Sequence, residues 1–206
     1  MEKTSKMHKK SLLVLMMMCA MALTTMAQRD AVKIPDELKE FLLHNTKPIE
    51  LKSADLNMDG KMDYVMVLTS TNVEAGKEHN DESRRITLII IRKETGELSI
   101  FARNENVAFC ASCGGMMGDP FEGVEVKPGS FTFINSGGSR ERWSYSYQFN
   151  YSKKDKAWQL VKVTESEVDT LKPRRGKTTI LTPPKHYGKI DFVDFDPDDF
   201  KGKGKK

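Results

Sequence analysis

The chain has 206 residues, with 33 Lys+Arg against 29 Asp+Glu and 38% hydrophobic residues. That length suits one domain, or one domain plus a tail, with a core large enough to fold without a disulfide framework. No basic face interleaved with aromatic residues is present, which excludes the pattern that nucleic-acid binding requires.

The N-terminus reads as a leader. Lys3, Lys6, Lys9 and Lys10 precede an apolar stretch at residues 11–23, and Thr25-Met26-Ala27 places small residues at the −3 and −1 positions. This is the layout of a cleaved secretory signal spanning residues 1–27. Its apolar core of about 13 residues falls short of the roughly 20 that a spanning helix needs. An uncleaved anchor is the alternative, and Cys19 raises a third, a lipid-anchored cysteine, although Met18 is larger than a lipoprotein signal wants. Of the 33 basic and 29 acidic residues the leader holds four lysines and one glutamate, which leaves 29 against 28, close to neutral. No later segment is apolar enough to span a bilayer, so the expected location is periplasmic or secreted.

Past the leader, Pro35-Asp36-Glu37 followed by Leu38, Phe41 and Leu42 has N-terminal helix signals and apolar residues at helical spacing, and Pro48 ends that helix. A strand is expected from about residue 63 to 70, and residues 72–84 are a polar loop that contains His79. The most buried-looking strand is 85–92, with Ile86, Leu88, Ile89, Ile90 and Ile91. A turn at Glu94-Thr95-Gly96-Glu97 returns it as a hairpin through 98–102. Residues 104–123 are irregular. Strands at 124–126 and 130–134 bracket Lys127-Pro128-Gly129, and Gly137-Gly138-Ser139 reads as a turn. Trp143, Tyr145, Tyr147, Phe149 and Tyr151 alternate with polar residues along a long strand, which turns at 152–156 and runs back from Trp158. These aromatics form either a cross-strand core or a ligand platform. After Asp169 the pattern weakens. Residues 171–206 are expected as an extended or partly disordered tail, in which Asp191, Asp194, Asp196, Asp198 and Asp199 surround Phe192, Phe195 and Phe200. That cluster is an acidic solvated run, a second cation site or a partner-docking strand. The expected fold class is α+β, mostly antiparallel β, with one N-terminal helix packed on a meander-type sheet or small sandwich at residues 28–170.

Two cysteines follow the leader, Cys110 and Cys113, in Phe109-Cys110-Ala111-Ser112-Cys113-Gly114-Gly115. In an oxidising compartment the default is a disulfide, and so short a loop gains shape more than global stability from it. A thioredoxin-like redox pair would need a βαβ setting. A zinc site would need two more ligands, and His44, His79 and His186 are scattered.

The most specific chemistry lies at Asp55-Leu56-Asn57-Met58-Asp59-Gly60-Lys61-Met62-Asp63. Oxygen-bearing side chains at alternate positions, a glycine after the third and a closing carboxylate suit Ca²⁺, a hard cation that takes six to eight oxygens. Three carboxylates this close repel unless a cation neutralises them. The alternative is an unliganded Asx-rich turn. An EF-hand begun at Asp55 would need a glutamate at its twelfth position, and Met66 stands there. The loop instead resembles the Asp-x-Asp/Asn-x-Asp-Gly-x-x-Asp loops of integrin-type FG-GAP and VCBS-like repeats, which lead into a strand. That resemblance implies Ca²⁺ held by the side chains of Asp55, Asn57, Asp59 and Asp63 and by the carbonyl of Lys61.

The loop, then Arg103-Asn104-Glu105-Asn106, Cys110-Ala111-Ser112-Cys113-Gly114-Gly115, Gly118-Asp119-Pro120-Phe121-Glu122-Gly123 and Gly137-Gly138-Ser139 with Trp143 occur in that order. Over residues 50–165 this is similar to a family of small exported bacterial proteins with one such acidic loop and a Cys-x-x-Cys-Gly-Gly segment. The resemblance implies export and a compact β-rich domain, and brings no activity with it.

Nucleophile elbows, zinc-protease helices, Walker loops and dinucleotide fingerprints are absent, and no catalytic residue is assigned. The preferred expectation is a non-enzymatic cell-envelope protein, a Ca²⁺-stabilised β domain that binds a protein or glycan partner. Its partner site would draw on Asp119, Phe121, Glu122, Arg140, Arg142 and Trp143. The alternative is a hydrolase or carbohydrate-active enzyme at the 104–123 and 137–143 loops, with Asp119 and Glu122 as paired carboxylates.

Overall fold

A computed structural model describes residues 31–71 and 84–200. The expected leader with Cys19, most of the 72–84 loop with His79, and the terminal residues 201–206 lie outside the described residues. Among the described residues nine strands form two antiparallel meanders, β1 to β4 in one sheet and β5 to β9 in the other. The first sheet comprises β1 (Thr46–Ala54), β2 (Asp63–Ser70), β3 (Ile86–Arg92) and β4 (Leu98–Asn104). The second comprises β5 (Phe121–Lys127), β6 (Ser130–Gly138), β7 (Glu141–Ser152), β8 (Ala157–Asp169) and β9 (Lys177–Leu181).

The first sheet is covered on both faces, which is why β2 and β3 read as unbroken apolar runs rather than alternating ones. Side chains of a strand point to opposite faces in turn. Val65, Val67 and Ile89 enter one core with the aromatic face of the second sheet. Met66, Leu68, Leu88 and Ile90 enter another, closed by Leu38 and Phe41 from the N-terminal segment.

That segment corrects the expected fold class. It holds no α-helix but a six-residue 3₁₀ turn, Asp36–Phe41, so the described chain is a mostly antiparallel β protein and not α+β. Leu38 and Phe41 are three apart, and both are buried. That spacing matches the 3₁₀ period of three as well as an α-helical stripe. Pro35 on one side and the start of β1 on the other leave only residues 36–45, short of the about 12–15 residues at which an isolated α-helix becomes stable. Pro48 does not stop a helix. It lies in β1, an edge strand, beside a register shift between Pro48 and Glu50, the setting in which a strand tolerates proline.

The second sheet carries the aromatic residues, and its register sorts them. Successive cross-strand rows on its inner face are Phe131–Phe149–Leu160, then Phe133–Tyr147–Val163–Leu181, then Asn135–Tyr145–Glu165–Thr179, then Gly137–Trp143–Glu167–Lys177. The first two rows are buried in the shared core. Trp158 is buried there too, with Phe101 and Phe131 against its ring. Tyr147, Phe149 and Trp158 therefore form a cross-strand core, while Trp143 and Tyr145 lie beyond it and are only partly buried. The Gly137-Gly138 pair, expected in a turn, lies inside β6.

The chain from β9 to Phe200 belongs to the same core. Phe192, Phe195 and Phe200 are 2%, 1% and 2% exposed, while Val193 and most of the intervening aspartates face outward. Asn104 fixes this segment by donating from Nδ2 to the carbonyls of Phe192 and Phe195, both at 2.8 Å. The packed domain thus extends beyond residue 170, and the acidic run is the outer face of a docked segment.

Candidate functional site

The loop between β1 and β2 is built by its own side chains. Asp55 accepts the Asp59 amide on Oδ1 at 3.0 Å and the Gly60 amide on Oδ2 at 2.9 Å. Asn57 Oδ1 accepts the same Asp59 amide at 3.0 Å. Asp59 Oδ1 takes the Lys61 amide at 2.8 Å, and Oδ2 takes Asn57 Nδ2 at 3.1 Å. Gly60 holds φ at +87°, a conformation a Cβ would strain. Three side chains therefore converge on one exposed loop face, each with lone pairs left over. Burial works against the Asp59 charge, but the Lys61 amide, Asn57 and the Lys61 ammonium together hold its carboxyl below the ordinary range.

Asp63 has a different job. It is fully buried. Its Oδ2 accepts the amides of Leu56 at 2.9 Å and Asn57 at 3.3 Å, and its Oδ1 accepts that of Arg92 at 2.9 Å. Burial raises its pKa despite these three bonds, and Asp59 adds to the rise. Asp63 thus ties both ends of the loop to β3, with about one lone-pair position left of the four a carboxylate offers. Among the described residues no three or more His, Cys, Asp or Glu side chains are grouped to hold a metal ion. The oxygens available to a cation here would be the carboxylates of Asp55 and Asp59, the amide oxygen of Asn57 and main-chain oxygen, donor types that Ca²⁺ accepts.

The loop is also riveted to the second sheet. The Asp55 carbonyl accepts the Gly129 amide at 2.9 Å, and the Leu56 carbonyl accepts the Trp158 indole N–H at 3.0 Å. Leu56 itself is buried in the shared core. Met58, exposed and at φ +62°, lies over Gly129, where a Cβ would meet its sulfur at 2.8 Å.

The second feature is a groove at the end of the second sheet. Beyond the two apolar rows, the inner face continues without the first sheet over it, and Trp143, Tyr145 and Glu167 line a cavity of about 680 Å³. One wall is the irregular loop before β5, where Cys110 and Cys113 are joined by a disulfide and Gly115 and Met116 face the cavity. Gly114 pins that wall to β6, its carbonyl accepting the Gly138 amide at 2.8 Å. The approach requires glycine at 137, since a Cβ there would meet Trp143 Cζ2 at 2.5 Å and the Gly114 oxygen at 2.8 Å. Phe109 packs against Trp143 and Tyr145 at centroid distances of 5.8 and 6.2 Å. Burial raises the Tyr145 pKa, and Glu165 and Glu167 raise it further.

The expected partner-site residues divide. Arg142 and Trp143 line the groove. Arg140 stands at its margin, donating from Nε at 3.0 Å and Nη2 at 2.8 Å to Asp169, whose carboxyl it holds below the ordinary range. Asp119 and Phe121 belong elsewhere. Asp119 receives both terminal nitrogens of Arg85 at 2.8 and 2.7 Å, and Phe121 is buried beneath the Arg85 guanidinium, 5.4 Å from ring centroid to Cζ. Glu122 accepts the Ser136 hydroxyl. Asp119 and Glu122 are thus engaged by different partners, Asp119 by Arg85 and Glu122 by Ser136. Sequence reasoning missed Arg85, which is 2% exposed. An arginine that opens an apolar run is the signal that points to it. It also missed Glu167, Arg175 and Lys177 as groove residues, whereas Tyr145 stands in the aromatic alternation for which a ligand platform was one of the two readings.

No protein-family model and no curated protein matches the chain. Among solved structures, one described as "Structure of a Xanthomonas Type IV Secretion System related protein" is similar at 17% identity and a TM-score of 0.37, covering 69% of this chain. The match spans 57% of that protein's length, and a likeness this slight carries neither fold nor function across. No helix among the described residues is long and apolar enough to cross a membrane.

Proposed function

We propose that this chain is an exported, non-enzymatic β domain of the cell envelope, stabilised by Ca²⁺ in its β1–β2 loop, which offers the groove beside the disulfide loop to a protein or glycan partner. The observation that carries the reading is the uncovered end of the second sheet, where an aromatic face emerges from the core into a walled cavity of about 680 Å³. That size falls in the range of ligand sites, and a few polar groups around aromatic rings is their usual make-up. The disulfide fits an oxidising compartment, as does the leader pattern at residues 1–27.

In this reading the side chains of Asp55, Asn57 and Asp59 and the Lys61 carbonyl hold the ion. Asp63, turned inward onto three backbone amides, holds the ends of the loop in place and leaves the ion to those donors. The ion neutralises the exposed carboxylates and stiffens a loop that already bridges the sheets. Extracellular Ca²⁺ modules bind at about 10⁻⁴ to 10⁻³ M, so Ca²⁺ at ten times the dissociation constant adds about 1.4 kcal/mol. For a domain of this size that is a rise of about 3–6 °C in Tm. Scanning calorimetry with and without millimolar CaCl₂ reads it directly, and Asp59→Ala abolishes the rise. An unchanged Tm in the parent chain refutes the ion assignment. A rise that survives in Asp59→Ala refutes this loop as its location.

A further inference from the structure

The four cross-strand rows of the second sheet change character along one face. Two are apolar and buried, the third is Asn135–Tyr145–Glu165–Thr179, and the fourth is Gly137–Trp143–Glu167–Lys177. The groove floor is therefore a pair of aromatic rings, Trp143 and Tyr145 with centroids 5.3 Å apart, set among hydrogen-bonding groups. The charges around them balance: Glu141, Glu165, Glu167 and Asp169 stand against Arg140, Arg142, Arg175 and Lys177. A strongly anionic or cationic ligand gains nothing from such a rim. An apolar ligand would strip water from all of these groups without replacing their hydrogen bonds, which is costly. A neutral ligand dense in hydroxyl groups meets donors and acceptors in equal measure, and the C–H faces of its rings cover the aromatic floor.

We infer that this groove binds a neutral saccharide, with Trp143 as the ring against which it packs and Glu167, Arg142 and Lys177 as its hydrogen-bonding partners. This rests on the groove being the partner site, and it selects glycan over polypeptide. The floor is ready-made. Trp143 is held by Phe109 and Tyr145 and sits over Gly137, so little side-chain freedom is lost on binding.

The chain carries its own reporter. Of two tryptophans, Trp158 is 1% exposed in the core and Trp143 lines the groove, so a groove ligand changes the emission of Trp143 alone. The full-length chain, purified in millimolar CaCl₂, is titrated with tetrasaccharides of α-linked glucose, β-linked glucose, mannose and N-acetylglucosamine. The expected result is a saturable emission change with at least one of them. Raising NaCl to molar levels leaves it unaltered, because the ligand is uncharged. Calorimetric titration detects the same binding in the parent and loses at least tenfold in affinity in Trp143→Ala. Glu167→Gln, an exposed change that leaves the core intact, also weakens it.

Two results overturn the inference: no tetrasaccharide is bound, or binding is unchanged in Trp143→Ala while that variant keeps the parent melting curve. A photo-crosslinking residue at position 167, activated in the expressing cell, separates the underlying reading from the inference. A crosslinked polypeptide with no saccharide binding keeps the groove as a partner site and discards the glycan. Neither crosslink nor binding discards both.

Discussion

Asp119→Asn tests whether the Asp-Pro-Phe segment is structural or chemical. The guanidinium of Arg85 is almost wholly buried, at 2% side-chain exposure, while the Asp119 side chain that neutralises it is 39% exposed. Asparagine keeps an oxygen for the Phe121 amide, which Asp119 Oδ1 accepts at 3.0 Å. It removes the charge and turns an NH₂ group toward Arg85. Breaking a fully buried ion pair on one side costs about 3–5 kcal/mol. Here water reaches the carboxylate side and replaces part of what is lost, so the expected cost is about 2–3 kcal/mol. In urea, with a slope of about 1–3 kcal/mol/M, the midpoint falls by about 1–2 M at unchanged slope. Removing both charges, as in Arg85→Met with Asp119→Leu, leaves no buried ion and returns the chain to within about 1 kcal/mol of the parent. A single variant within about 0.5 kcal/mol of the parent refutes the structural role, since that is the scatter of neutral surface changes. So does a double variant whose cost is the sum of the singles, because contacting partners do not add. Were Asp119 a catalytic acid, its replacement would be neutral or stabilising, as at strained active sites.

The remaining predictions concern the rivet between the sheets and the alkaline edge of stability. Trp158→Phe leaves the Leu56 carbonyl without the indole donor now at 3.0 Å, at a cost of about 1–3 kcal/mol. Amide exchange at residues 55–60 quickens with it. A loss under about 0.5 kcal/mol with unchanged exchange would sink the rivet. For alkaline pH, burial pushes the Tyr187 phenol from its ordinary 10.0 up to about 12 and raises Tyr147 further still. A folded pKa above the unfolded one means that the neutral phenols' contribution is complete below pH 10 and disappears as pH rises toward 12. Absorbance at 295 nm and circular dichroism should therefore show at least two of the five tyrosines, Tyr147 and Tyr187, ionising only as the fold melts. Five phenols ionising near pH 10 in an intact fold would contradict the burial argument.

What was legible in the sequence was whatever local spacing determines. β2 and β3 followed from apolar runs and β7 from its aromatic alternation, and the hairpin turns at Gly96 and Gly129 from their residues. The disulfide followed from two cysteines three apart. β1 was masked by Pro48, although Ile49 and Leu51 alternate with Glu50 and Lys52 as a half-buried strand should. The N-terminal turn misled because Leu38 and Phe41 satisfy both helical periods. The C-terminal segment looked like a solvated tail because its aspartates dominate any local window. Its anchor, Asn104, lies 88 residues from Phe192, and no local pattern records such a bond. The candidate site divided along the same line. The loop's oxygen donors were visible at fixed spacing. The inward turn of Asp63 was not, because it depends on the Arg92 amide across the sheet. Asp119 looked available for chemistry because its partner, Arg85, sits 34 positions away.

The groove is a consequence of strand length. β7 and β8 run 12 and 13 residues, longer than the 7-residue β3 and β4 of the facing sheet. Their inner face cannot be covered along its whole length. Rings then pass without a break from core to solvent: Phe195 meets Tyr147 at 4.8 Å, Tyr147 stacks on Tyr145 at 6.3 Å, and Tyr145 meets Trp143 at 5.3 Å. Aromatic contacts of this kind add about 0.5–1.5 kcal/mol each beyond burial. The packing that orders the docked C-terminal segment therefore also orders the groove floor. A ligand that settles on Trp143 meets a surface whose side-chain entropy was lost when the chain folded. Loosening Phe195 should accordingly weaken binding in the groove without touching the ligand, through the stacked rings that join the two.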